Sequence, residues 1–411
     1  MDFEDTPEEA DFRAEVRAWL AKTAPAFSGG VGGLMRSVRS PEELAKAKQW
    51  QAQKAEARYA KIMWPKEYGG MDGTPIQNVI YAQEEAKYDV PNGPFVIGLG
   101  MCIPTVIAHG SEADRARYVE PALHGREIWC QLFSEPAAGS DLAGIRTRAE
   151  RDGDDWIING QKIWTSGAHY SDFGILVTRS DPGVAKHKGL TFFYLDMKSP
   201  GVEIKPIRQI SGASNFNEVY FTDVRIPDSQ RLGAPGQGWQ VSLTTLMNER
   251  AAIGGADAGL GIRELIELAR SIELPDGPAI KNAAVREKIA DWHIQAEGLK
   301  YTGFRSITAL SKGQTPGPEN SITKAVSAAR GQDLAAFAME LMEMGGILRD
   351  DALVPYAAGF QEQWISSPAS RIAGGTDEIL RNIIAERVLG LPGEIRVDKD
   401  IPFNELPTGA G

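Results

Sequence analysis

Cysteine is nearly missing from this chain: there are two in 411 residues, Cys102 and Cys130, far apart and without metal-ligand spacing. That excludes a disulfide scaffold and a cysteine-built metal site, and it reads as two buried thiols in a reducing compartment. Histidine is almost as scarce, with five residues and no cluster, so neither a His-Glu-x-x-His metal site nor histidine-centred catalysis is expected. No apolar run approaches about 18 residues, so no membrane-spanning helix is expected. The acidic opening MDFEDTPEEA is unlike a secretory or organelle signal, which points to a cytoplasmic protein. Positive charge is in deficit, with a net charge of -11. Nucleic-acid binders need clustered Lys and Arg to release counterions, so that class is excluded, although one anionic ligand in a local basic pocket is not. A G-x-G-x-x-G opening a helix, a G-x-x-x-x-G-K-[ST] loop and a G-x-S-x-G elbow are all absent, which removes the dinucleotide-fold, P-loop and hydrolase readings.

What is present runs helix-rich, then strand-rich, then helix-rich. Thr6–Ala21, Glu42–Met63 and Ile76–Lys87 are charged, amphipathic and poor in Gly and Pro, which predicts helices. Pro94–His109 predicts a buried helix, and Ser111–Leu123 another with Ser111 as its N-cap. The texture changes near Cys130. Asp155–Trp164 carries Asn159-Gly160 between two alternating apolar runs, which predicts a hairpin turn there. Phe173–Arg179, Leu190–Asp196, Val202–Pro206 and Glu218–Val224 predict further strands of an antiparallel β unit of roughly 100 residues. Helices return at Trp239–Arg270 (loosened at Gly254-Gly255), Asn282–Leu310, Ser321–Met344 and Asp377–Leu389, the last capped by Thr376. The tail after Pro392 reads as loop.

Four features could carry chemistry. The small, polar loop Ser134–Asp141 offers N–H and hydroxyl groups to a polar planar ligand, although such a segment is more often a plain surface turn. Trp164-Thr165-Ser166 sets an aromatic beside two hydroxyls; taken alone it reads as packing. Gly374-Gly375-Thr376-Asp377-Glu378 lets backbone approach a ligand just ahead of a helix N-terminus, or it is an ordinary capped helix. Glu249 falls on an apolar helix face with Thr245, Leu246, Ala252 and Ile253 as neighbours. A carboxylate there is costly unless paired or used, so it is a general base or half of an ion pair, and on the residues alone the ion pair takes precedence.

Taken in order, Trp64–Gly70 (WPKEYGG), Gly98–His109 with Glu120-Pro121, Cys130–Asp141, Gly160–Gly167 and Gly375–Arg387 resemble the fingerprints of the acyl-CoA dehydrogenase family over nearly the whole chain. The resemblance implies an α+β fold: an N-terminal α-helical domain (1–128), a middle antiparallel β-barrel-like domain (129–232) and a C-terminal four-helix bundle (233–411). It implies FAD bound between the middle and C-terminal domains, an acyl-CoA substrate, an electron-transferring flavoprotein as acceptor, a homotetramer or homodimer, and no metal. Residue by residue it implies flavin contacts from Gln131, Phe133, Ser134, Trp164, Thr165, Ser166, Thr376 and Glu378. Acyl-CoA contacts are implied for Ser140, Arg250, Gly374 and Gly375.

Many family members carry a Glu base directly before the Gly-Thr of the last fingerprint, where this chain has Gly374. A minority, similar to isovaleryl- and long-chain-type enzymes, place it on the long helix before an Arg. Here that is Glu249-Arg250, so the resemblance turns Glu249 from ion pair to base. The family's glutamine before Gly345-Gly346 is Met342 here, and its Arg and Phe that reach a neighbour's FAD are not recognisable around Pro275–Val285. Two other readings compete. One is an oxygen-using relative (acyl-CoA oxidase, nitroalkane oxidase or flavin monooxygenase). The other is a non-catalytic subunit of a heterotetramer.

Overall fold

The computed structural model describes residues 5–28, 38, 40–253, 259–312, 317, 320–350, 352–393, 395, 398 and 400–407, without the side chains of 250–253, 310–311 and 320. It divides into two compact units, residues 1–252 with 394–411, and residues 253–393.

The first unit opens with helices α1 (Pro7–Thr23), α2 (Pro41–Glu56) and α3 (Pro75–Glu85). All three start on one signal, a Ser or Thr cap followed by Pro: Thr6-Pro7, Ser40-Pro41 and Thr74-Pro75. The hydroxyl accepts an otherwise orphaned backbone N–H, and proline's fixed φ suits the first helical position. These helices bury Phe12, Val16, Leu20, Trp50, Tyr59, Ile80 and Tyr81 in one cluster. A π turn at Gly98–Cys102 leads into α4 (Ile103–His109), and Ser111 caps α5 (Glu112–Leu123) with a full capping box.

Eight strands follow: β1 (Trp129–Leu132), β2 (Arg148–Asp152), β3 (Asp155–Ser166), β4 (Phe173–Arg179), β5 (Leu190–Asp196), β6 (Val202–Ile207), β7 (Phe216–Pro227) and β8 (Arg231–Leu232). They form one sheet in the order β6-β7-β3-β2-β4-β5-β8, with β1 beside β4. Strands β4 and β5 are apolar on both faces because both are covered. Ile175, Val177, Phe192 and Tyr194 join the core under α4 and α5. Leu176, Phe193 and Leu195 join Trp156, Ile158, Val219 and Phe221 on the other side.

Two expectations for this region are corrected. The sheet is not purely antiparallel: β1 and β2 both pair with β4 in parallel, since the chain leaves β1 through a loop rather than a tight turn. Asn159-Gly160 is not a hairpin turn but the middle of the continuous β3. The pairing of β3 with β7 shifts register there, and a Cβ on Gly160 (φ 149°) would lie 2.6 Å from the Thr147 hydroxyl. The glycine permits that close approach. Asn159 exchanges two 3.0 Å hydrogen bonds with Asp223 on β7. The true turn is Gly153-Asp154, with Asp152 paired to Asp155.

Helix α6 (Gly238–Ile253) packs within this first unit; Val241, Ser242 and Thr245 are fully buried. The second unit holds α7 (Ile262–Ser271), a small hairpin of β9 (Glu273–Leu274) and β10 (Gly277–Pro278), then α8 (Ala283–Ser311), α9 (Asn320–Leu341), α10 (Gly359–Ile372) and α11 (Asp377–Ile383). Leu265, Leu268, Trp292, Leu334, Ala338 and Phe360 form its core. The single helix expected over Trp239–Arg270 is thus two helices, and Gly254-Gly255 lies outside the described residues. Helix α10 was not foreseen, because Pro368 inside it and Gly359 at its start read as breakers. Among the described residues no helix is long and apolar enough to cross a membrane.

Candidate active site

The loop after β1 is fixed from beneath by a buried ion pair. Lys162, fully buried on β3, donates to the Phe133 carbonyl at 2.9 Å and to Glu135 Oε1 at 2.8 Å. Glu135 also accepts the backbone N–H of Arg146 at 2.6 Å and of Thr147 at 2.9 Å. Burial alone would raise the Glu135 carboxyl, but the Lys162 charge and these bonds hold it below the usual carboxylate range. The Ile163 N–H donates to the Ser134 carbonyl at 2.9 Å, stitching the loop along β3. At its far end Asp141 receives Lys186 Nζ at 2.8 and 3.0 Å. Ser140, one residue earlier, is exposed, and a Cβ on Gly139 would meet nothing within 4 Å.

Beside this loop β3 breaks its pairing with β7 between Lys162 and Thr165. Trp164 sits at the break with φ 59°, a left-handed conformation that costs a non-glycine residue about 1–2 kcal/mol. Its indole is 54% exposed and meets Phe216 edge-on at 6.0 Å. Thr165 is buried, and its hydroxyl has no hydrogen-bond partner among the described residues; Ser166 is half-buried. A strained strand that holds a large aromatic in the open, next to an orphaned hydroxyl, is the donor set expected for a planar, heteroatom-rich group. The residues present therefore fit an isoalloxazine. The Phe133 ring does not face outward: it packs edge-on against Phe192 at 5.7 Å, leaving only its backbone for a ligand.

Glu249 is on the same unit. Helix α6 is keyed to α4 by Thr245–Thr105 and Thr244–His109 hydrogen bonds, both 2.9 Å. One turn after Thr245, the half-buried Glu249 accepts Gln131 Nε2 from β1 at 3.4 Å. The Arg250 side chain lies outside the described residues.

In the second unit, Gly374 (φ 64°) and Gly375 (φ 96°) make two successive left-handed steps between α10 and α11, a path that side chains resist. Three contacts hold the turn. Arg371 pairs with the buried Asp377 at 2.5 Å, Lys324 on α9 donates to the Gly375 carbonyl at 2.6 Å, and the Thr376 hydroxyl caps α11 by accepting the Ile379 N–H at 3.2 Å. Glu378 is exposed, and its own backbone N–H with the Thr376 hydroxyl keeps its carboxyl below the ordinary range. Sequence reasoning missed Lys162, Glu135, Lys186 and Lys324 as supports. Lys162 was detectable, since it shares the inward parity of Trp156 and Ile158 on β3; the others gave no local signal.

Models of the acyl-CoA dehydrogenase N-terminal, middle and C-terminal domains match residues 6–126, 130–224 and 236–389. The chain therefore belongs to the acyl-CoA dehydrogenase family. It is 35% identical over 395 residues to the acyl-CoA dehydrogenase IpdE1 of Mycobacterium tuberculosis, covering 94% of this chain and 98% of that one. Among solved structures, the Tcur3481-Tcur3483 steroid ACAD matches with a TM-score of 0.80 at 27% identity, over 96% of this chain and 100% of that chain. The ChsE4-ChsE5 complex from Mycobacterium tuberculosis matches with a TM-score of 0.77 at 27% identity, again over 96% and 100%. The protein is a FAD-dependent acyl-CoA dehydrogenase acting on an acyl-CoA thioester.

Proposed function

We propose that Glu249 is the base of the α,β-dehydrogenation, and the observation that carries this is its pairing with Gln131 on the fingerprint strand, while Gly374 offers no carboxylate at the family's other base position. The Gln131 amide orients the carboxylate. An acyl α C–H is too weak an acid for a carboxylate unless donors meet the charge growing on the thioester oxygen. The backbone N–H groups at Gly374 and Gly375 are the proposed donors, in a turn held by Lys324 and Arg371–Asp377. Bound FAD supplies the hydride acceptor. Trp164, Thr165 and Ser166, with Gln131, the Phe133 backbone and Ser134, are proposed to hold the flavin; Thr376 and Glu378 are proposed to contact it from α11. Ser140 and Arg250 are proposed to bind the acyl-CoA. The division 1–128, 129–232 and 233–411 is proposed as the functional domain plan, with α6 and the last segment of the chain belonging to the first compact unit.

The electron acceptor is proposed to be an electron-transferring flavoprotein rather than oxygen, and the active form an oligomer. The missing side chain at Gly374 and the likeness to a steroid ACAD support a wide, steroid-derived acyl group. A screen for anaerobic bleaching of the flavin with short, branched, long and steroid-derived acyl-CoA esters tests this. Bleaching by the wide esters is expected, and bleaching by short straight chains alone contradicts it. A heteromeric assembly is the second reading, favoured by the two-component ChsE4-ChsE5 neighbour. Light scattering on the purified chain, with its FAD content, separates the two: a FAD-loaded homo-oligomer supports the first, a FAD-free chain the second.

A further inference from the structure

The family models stop at residue 389, yet the chain's last described segment returns to the first unit and packs beside the Ser140 loop. Asp398 reaches Lys186 Nζ at 2.5 Å, the same ammonium that holds Asp141. Residues 402–404 run against the β4–β5 connection: Pro402 forms a bridge with Ala185, the Phe403 N–H donates to the Val184 carbonyl at 2.9 Å, and the Asn404 N–H to that of Pro182 at 3.0 Å. The Phe403 ring lies over the Arg179 guanidinium, 3.8 Å from its centre. Arg179 is itself buried and donates to the carbonyls of Lys186 at 2.6 Å, Ala143 at 2.5 Å and Ile145 at 3.4 Å.

Two buried cations thus grip both sides of the segment that follows Ser140, and the tail supplies part of what each needs. Lys186 is shared by two carboxylates, one from the loop and one from the tail. Arg179 has its donors spent on carbonyls and its face covered by an aromatic, the cation–π arrangement that strengthens as water is excluded. Take the tail away and Lys186 keeps one carboxylate, Arg179 meets water, and the loop loses its backing.

We propose that Asp398 and Phe403 are positioning residues for substrate binding: the tail straps Lys186 and Arg179 so that the Ser140-Asp141 loop is preset to receive the coenzyme A ester. This rests on the reading that Ser140 contacts the acyl-CoA. Asp398→Asn and Phe403→Ala in the full-length, FAD-loaded protein should each raise the Kd for coenzyme A and for octanoyl-CoA, measured by calorimetry, about three- to tenfold, the loss of one charge-assisted contact. FAD content should not change, and kcat with an ester that bleaches the native enzyme should hold while KM rises. Asp398→Glu should restore the native Kd. Hydrogen exchange at the backbone of residues 142–147 should speed up in Asp398→Asn, independently of turnover. Unchanged Kd and unchanged exchange would overturn the strap. So would a loss of FAD with Kd unmoved, or an Asp398→Glu variant no better than Asn. Ser140→Ala run in parallel separates the two ideas. If it raises Kd while the tail variants do not, the strap fails and the Ser140 reading stands; if it leaves Kd unmoved, the Ser140 reading fails and the strap falls with it.

Discussion

Replacing Lys162 by Met keeps the stem's volume and removes the charge that anchors the loop after β1. The ammonium is fully buried, and its partner Glu135 is only 7% exposed. Removing one member of a buried, hydrogen-bonded pair costs about 3–5 kcal/mol, because the other charge stays behind unmatched. Glu135 keeps the Arg146 and Thr147 N–H groups, which places the expected loss near 3 kcal/mol at pH 8. The pH dependence follows from the direction of the shift. In the native protein the Glu135 carboxyl is depressed, so its contribution is present above the unfolded pKa and is lost as pH falls through the folded one. Without Lys162 the charge and hydrogen bond that most lower the Glu135 carboxyl are gone while its burial stays, so the folded value rises. The variant's deficit is then smallest in acid and grows as pH rises. Urea unfolding followed by tryptophan emission reports it, since Trp129 and Trp156 sit in the two cores on either side of the sheet. Lys162→Met should lose about 3 kcal/mol at pH 8 and clearly less at pH 5. The double variant Lys162→Met/Glu135→Gln should recover most of it. A loss below about 1 kcal/mol at pH 8, a deficit that ignores pH, or a double variant as weak as the sum of its parts would refute the reasoning.

Two further outcomes concern the strained end of β3. Trp164→Gly relieves the left-handed residue, so the FAD-free protein should be as stable as the native one or up to about 1 kcal/mol more so, while FAD affinity drops at least tenfold; thermal unfolding with and without FAD checks both signs. Thr165→Val removes a buried hydroxyl that lacks a partner. It should stabilise the FAD-free form by about 1 kcal/mol and destabilise the loaded form, read from the same pair of melting curves. Equal shifts in both forms would mean that the hydroxyl never meets the cofactor.

The sequence carried the outline of this molecule through local signals. Charged, amphipathic stretches poor in Gly and Pro marked the first helices, short apolar runs between turn-rich segments marked β4 to β7, and Thr376 marked the last helix. It misled where a local signal served a long-range purpose. Asn159-Gly160 looks like a turn, but the glycine makes room for Thr147 and the asparagine bonds Asp223 across the strand. The positions proposed to hold the flavin were legible as a motif; the contacts that support them were not, because Lys162, Lys186 and Lys324 meet partners far away in sequence. Glu249 was legible only as an anomaly, a carboxylate on an apolar helix face, until Gln131 supplied its partner.

The central claim is tested most directly by Glu249→Gln, mixed without oxygen with an acyl-CoA ester that bleaches the native enzyme. The amide keeps the shape and the link to Gln131 but cannot take a proton, so the variant should retain its yellow FAD and its substrate affinity and fail to bleach. Bleaching at the native rate would contradict the assignment of Glu249 as the base.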